Sequence, residues 1–116
     1  MAFPSPAADH EENTLKLDDL VVHPASTFFV KMTGVAMEPT IHAGDVLVVD
    51  RSLILLDGQI GVVVYQRTFW VRRIVQTDED ITLIADNSAF VDIVIQREAE
   101  DFMVWGVVTY AIHKAL

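Results

Sequence analysis

The sequence contains no cysteine, which excludes disulfides and thiolate metal sites. It has no apolar run near the ~18 residues that a membrane-spanning helix needs. Its N-terminus has no basic region followed by an apolar stretch, so no signal peptide is read from it. A cytoplasmic protein without a membrane role is expected. Basic residues are scarce: 8 Lys and Arg stand against 17 Asp and Glu, for a net charge of −9. Binding to a nucleic-acid backbone depends on clustered Lys and Arg. No direct nucleic-acid contact is therefore expected, and any role at DNA runs through protein partners. The four histidines, His10, His23, His42 and His113, lie far apart in sequence and none has ligand spacing to another. Each is read as a surface or capping residue, and neither a metal nor a cofactor is expected.

What is present is apolar and strand-like. The chain has 116 residues, 52% of them hydrophobic, which suits one domain with a real core and excludes wholesale disorder. Residues 1–13 read as an extended, mobile arm, since Pro4 and Pro6 forbid a helix or a central strand and Asp9, Glu11 and Glu12 cluster charge. Leu15 to Val22 reads as one helical turn or a docked extended piece. From Thr27 on the pattern is short strands: Thr27 to Met32, Asp45 to Asp50, Gln59 to Gln66, Phe69 to Val75, Ile81 to Ile84, Val91 to Ile95 and Val104 to Ile112. Arg67-Thr68 reads as the turn of a hairpin. Without a long amphipathic helix, residues 14–116 are expected to form one mostly β domain. Phe28, Phe29, Trp70 and Trp105 are read as core.

Several ordered segments carry a resemblance. Phe29 to Asp50 reads FVKMTGVAMEPTIHAGDVLVVD: a strand, a turn of the form G-x-x-M, then Gly-Asp leading into an apolar strand. Phe3 to Asp9 reads FPSPAAD, and His23 to Val30 reads HPASTFFV. Phe69 to Ile74 reads FWVRRI, and LIADNSAF (Leu83 to Phe90) and WGVV (Trp105 to Val108) follow. In this order the segments resemble the LexA/UmuD family of self-cleaving SOS peptidases, and FPSPAAD is similar to the stretch just after the cleavage site of the UmuD type. Gly34, Met37, Gly44 and Asp45 fall where the family's nucleophile motif places them. The resemblance implies the compact C-terminal-type β domain of that family, with short, highly curved strands.

It also implies a Ser/Lys dyad, and here both positions are changed. The serine position is Ala36, which has no hydroxyl to attack a carbonyl. The lysine position is Arg72, and a guanidinium stays protonated and cannot serve as a base. A lysine base must be neutral, which takes desolvation among apolar neighbours. No catalytic residue is therefore expected to function. Ser5, Ser26, Ser52 and Ser88 lie outside the motif, rescue by Lys31 is improbable, and nothing in the sequence supports a Ser/His/Asp triad. Alternation along Phe69 to Val75 places Trp70, Arg72 and Ile74 on one face. A buried arginine there would need a carboxylate or carbonyl partner. Arg73 is read as a surface residue with a buried stem.

The family's substrate is its own N-terminal arm, and Met1-Ala2 stands directly before Phe3. The expectation is a naturally pre-processed, inactive homologue, in which the missing arm and the missing dyad make each other tolerable. An engineered truncation is the alternative. The resemblance implies a homodimer that joins a UmuC-like Y-family polymerase in SOS translesion synthesis, with the RecA filament as a further partner. Val104 to Ile112 is a candidate dimer contact. A decoy that forms mixed dimers with an active UmuD, an active peptidase and a detached LexA-like dimerisation domain are the other readings.

Overall fold

The computed structural model of the chain describes residues 14–116; the expected arm lies outside them. A one-turn 3-10 helix at Leu17–Leu20 and another at Pro24–Ser26 lead into seven strands. These are β1 (Thr27–Lys31), β2 (Val46–Asp50), β3 (Ile60–Tyr65), β4 (Thr68–Gln76), β5 (Asp80–Ile84), β6 (Ile93–Gln96) and β7 (Phe102–Ile112). They form a single antiparallel sheet in the order β1-β2-β7-β3-β4-β5-β6. The mostly β expectation holds. Among the described residues no helix is long and apolar enough to cross a membrane.

The sheet buries both faces at its centre. Val62 and Val63 are neighbours on β3 and so point to opposite faces. Val62 packs with Met32, Met37, Ile41, Leu47 and Val49. Val63 packs with Leu55, Ile74, Leu83, Ile95 and Val107. This double burial is why β2 reads as a continuous apolar run rather than an alternating one. The long β7 follows both neighbours only by bulging. Its register against β3 slips between Val62 and Val63, at Trp105, and against β2 between Val48 and Val49, at Thr109. Such bulges bend a strand and re-aim its side chains.

Two expectations are corrected. The hairpin turn is Gln66-Arg67, one residue earlier than read, because Tyr65 pairs with Thr68. Both turn residues have positive φ, 52° and 64°, as a two-residue type I′ turn requires, although neither is the Asn or Gly that usually signals it. Phe28 and Phe29 are exposed rather than core, because β1 is an edge strand with little packed against it. Phe28 instead leans on the half-buried Trp105, with ring centroids 5.5 Å apart.

Gly106 marks where β7 passes closest to β2. A Cβ built there would lie 2.5 Å from Val49 Cγ1. Val49 is fully buried and β-branched, so it has no rotamer to retreat into. Gly106→Ala should destabilise the domain by about 1–3 kcal/mol through overpacking, measured as a lowered urea midpoint at unchanged slope.

Candidate active site

The loop from Met32 to Gly44 carries the G-x-x-M turn and is fixed at several points. Gly34 turns the chain after β1 with φ of 105°, a region that glycine enters freely. Met37 is 0% exposed and plugs the loop into the core beside Ile41 and Leu47. Gly44, φ 91°, donates its N–H to the Met32 carbonyl, while the Met32 N–H donates to the Asp45 carbonyl, both at 2.8 Å. The segment after β5 holds the loop from outside. The Asn87 backbone N–H donates to the Ala36 carbonyl (3.0 Å), its side-chain amide donates to the Val35 carbonyl (3.0 Å), and Thr40 donates to Asp86 (2.6 Å). The Leu83 to Phe90 stretch quoted from the sequence is thus the clamp on the Ala36 turn.

Ala36 and Arg72 line one cavity of about 510 Å³, together with Thr33, Phe69, Phe90 and Trp105. Its walls are largely apolar, and the methyl of Ala36 offers no nucleophile. Arg72 is 9% exposed. Its Nη1 donates to the Val71 carbonyl (2.9 Å), and its Nε has no hydrogen-bond partner among the described residues. Its guanidinium carbon lies 5.2 Å from the Trp70 ring centroid and 5.9 Å from that of Phe90. Such cation–π contacts contribute about 0.5–2 kcal/mol each. Burial lowers the Arg72 pKa, but arginine in proteins remains protonated. The cavity therefore holds a fixed cation. Lys31 also lines it but is exposed, without the apolar enclosure a lysine base needs.

The two arginines differ from the expectation for one of them. Arg73, read as a surface residue, makes a bidentate pair with Asp86 through Nε (2.9 Å) and Nη2 (2.8 Å), and its Nη1 donates to the Gly58 carbonyl (2.8 Å). The hydrogen bond from Arg73 is the main cause that holds the Asp86 carboxyl below its ordinary value, against desolvation. Asp86 in turn accepts from Thr40, so this pair tensions the clamp. Arg72 has only the carbonyl partner.

A Ser/His/Asp grouping does form elsewhere, and its wiring is wrong for catalysis. Asp50 Oδ1 accepts from the Ser52 hydroxyl (2.6 Å) and the Ser26 hydroxyl (3.3 Å), and Oδ2 lies 2.6 Å from His23 Nδ1. A triad needs the serine bonded to the histidine ring; here Ser52 donates to the carboxylate, and Ser26 faces the carboxylate and the His23 backbone carbonyl, each at 3.3 Å. The grouping anchors the start of β1 to the end of β2. The hydrogen bonds from Ser52 and His23 hold the Asp50 carboxyl well below the usual carboxylate range, against desolvation.

Sequence reading also missed that His42 and His113 meet: their ring centroids are 4.6 Å apart, with Asp45 between the two chains of contact. No signal in the sequence marks it, since the meeting depends on how β2 pairs with β7. Trp105 and Phe90 as cavity walls were missed for the same reason.

The fold and cleft define the class: an antiparallel β domain of the LexA/UmuD C-terminal type. Residues 1–109 match the Peptidase S24-like family. The chain is 39% identical to Protein MucA of Salmonella typhimurium, over 95% of this chain and 76% of that protein. It is 38% identical to Protein SamA of Salmonella typhimurium strain LT2 (97% and 78%) and 32% identical to Protein ImpA of Shigella flexneri (97% and 77%). The chain belongs to the Peptidase S24-like family, and these relatives are UmuD-like members of it.

Two predictions follow from the charges. Arg72→Met removes a buried cation that has no anionic partner and should change stability by less than about 1 kcal/mol in either direction. Arg73→Met leaves Asp86 without its pair and should cost about 1.5–3 kcal/mol; chemical denaturation at pH 7 separates the two. For Asp50, a carboxyl depressed in the folded state adds stability above the unfolded carboxyl value of about 3.9 and loses it as the pH falls toward the lower folded value. Asp50→Asn should lower the urea midpoint at pH 7 and flatten its decline between about pH 4 and pH 2.

Proposed function

We propose that this protein is a UmuD-like accessory subunit in SOS mutagenesis whose own peptidase chemistry is lost. It acts as a homodimer that joins a UmuC-like Y-family polymerase, in the cytoplasm, and reaches DNA through that partner. The carrying observation is that Ala36 and Arg72 line the same cavity, a methyl group and a fixed cation where the family's reaction needs a hydroxyl and a neutral amine. The UmuD-like SOS mutagenesis relatives support the role. The charge of −9 supports contact with DNA through another protein rather than through the domain's own field. The end of β7, where Tyr110 and Ile112 are exposed, supports a contact surface between copies.

Two experiments test this. Incubated with RecA filaments and an intact LexA or UmuD substrate, the chain should give background cleavage, and Ala36→Ser with Arg72→Lys should raise it at least ~100-fold, the contribution typical of a positioned base alone. Cleavage by the unaltered chain would overturn the loss of chemistry. Co-purification with a UmuC-like polymerase should recover the complex. Failure to recover it, where a UmuD control succeeds, would overturn the accessory role.

A further inference from the structure

We propose that His42, Asp45 and His113 form a binding site for a zinc-type divalent cation, which ties the end of β7 to the turn that leads into β2. It is the one grouping of three such side chains among the described residues, and their ligand atoms all lie within 4.8 Å of one another. The sheet builds it. Val46 pairs with Ile112, so the next residues outward, Asp45 and His113, also face each other. His42 comes from the same tight turn as Asp45, and its backbone N–H donates to Asp45 Oδ2 at 2.8 Å.

The carboxylate is already arranged as a ligand. Asp45 is buried, with Oδ2 pinned by that backbone N–H and Oδ1 turned toward His113 Nδ1 at 2.7 Å. A buried carboxylate that needed only hydrogen bonds would be satisfied by those two partners. The His42 ring is left over. Its Nδ1 stays 3.8 Å from Oδ2, too far for a hydrogen bond, and the ring makes none among the described residues. An imidazole that serves no hydrogen bond, set against a second imidazole and a pinned carboxylate, is the donor set that borderline-soft divalent ions select.

Tetrahedral zinc holds nitrogen and oxygen ligands at about 2.0–2.2 Å, which places them roughly 3.4 Å from one another. Rotation of the two rings closes the remaining distance, and both rings are free to turn, with side chains 45% and 58% exposed. Asp45 Oδ1, His42 and His113 then supply three ligands, water takes the fourth position, and the His42 backbone N–H keeps Oδ2 in place as an orienting bond. The imidazole proton that faces Asp45 passes through solvent to the other ring nitrogen, Nε2, when the metal takes Nδ1. The site lies apart from the Ala36 and Arg72 cavity and needs nothing from the peptidase reading.

Calorimetric titration of the full chain with Zn2+ tests it. One ion per chain is expected, with affinity lowered at least ~10-fold by His42→Ala and by His113→Ala, since even losing a partner that only orients a ligand costs that much. His10→Ala should leave it unchanged. A saturating ion should raise the thermal midpoint of the unaltered chain by about 5 °C or more, and not that of the double variant His42→Ala/His113→Ala. Ring-nitrogen NMR on the unaltered chain removes any dependence on how the variants fold. One equivalent of Zn2+ should shift the His42 and His113 nitrogens. Binding no tighter than in the double variant, or shifts at His10 or His23 in place of these two, overturns the site.

Discussion

The insertion of β7 between β2 and β3 is the pairing on which the rest depends. Without it the sheet falls into two pieces, β1 with β2, and β3 through β6. Its pairings join residues at least 37 positions apart, and the entropy of closing such loops is repaid only when the whole ladder forms. Both apolar clusters draw on β3, and one of them counts Val107 of β7 among its buried members. Gly106 is the residue that lets this strand come close enough to β2 for the core to shut.

The same strand shapes the sites. The bulge at Trp105 turns that ring toward Phe28, Phe69 and the cavity shared by Ala36 and Arg72. Arg51 stacks over the ring, its guanidinium carbon 4.5 Å from the centroid, and donates to the Trp105 carbonyl, which fixes the bulge from the β2 side. At its far end β7 delivers His113 to Asp45. Polar groups are handled by one repeated device, a buried or half-buried carboxylate that collects donors: Asp45 at the mouth of β2, Asp50 at its end and Asp86 on the clamp. Two of the three frame β2, so acid should loosen the β1-β2 end of the sheet first.

The cavity shared by Ala36 and Arg72 is largely apolar and yet holds a charge. Its walls are of the kind that would hold a lysine base neutral, but the residue they enclose is an arginine. Arg72 occupies them as a permanent cation, and the aromatic faces of Trp70 and Phe90 take the place of a counter-ion.

Much of this was legible in the residues. Seven strand segments, the continuous apolar run of β2 and the G-x-x-M turn depend on local pattern and on side-chain chemistry, which the order of residues carries by itself. Alternation even placed Trp70, Arg72 and Ile74 on the more buried face of β4. Only the tertiary structure decided which arginine found a carboxylate, that Phe28 and Phe29 sit on an uncovered edge, that Gln66-Arg67 makes the turn, and that His42 and His113 meet over Asp45. Those outcomes depend on strand order and register. Register is set by how bulges and packing align segments far apart in the chain, so no window of sequence contains it.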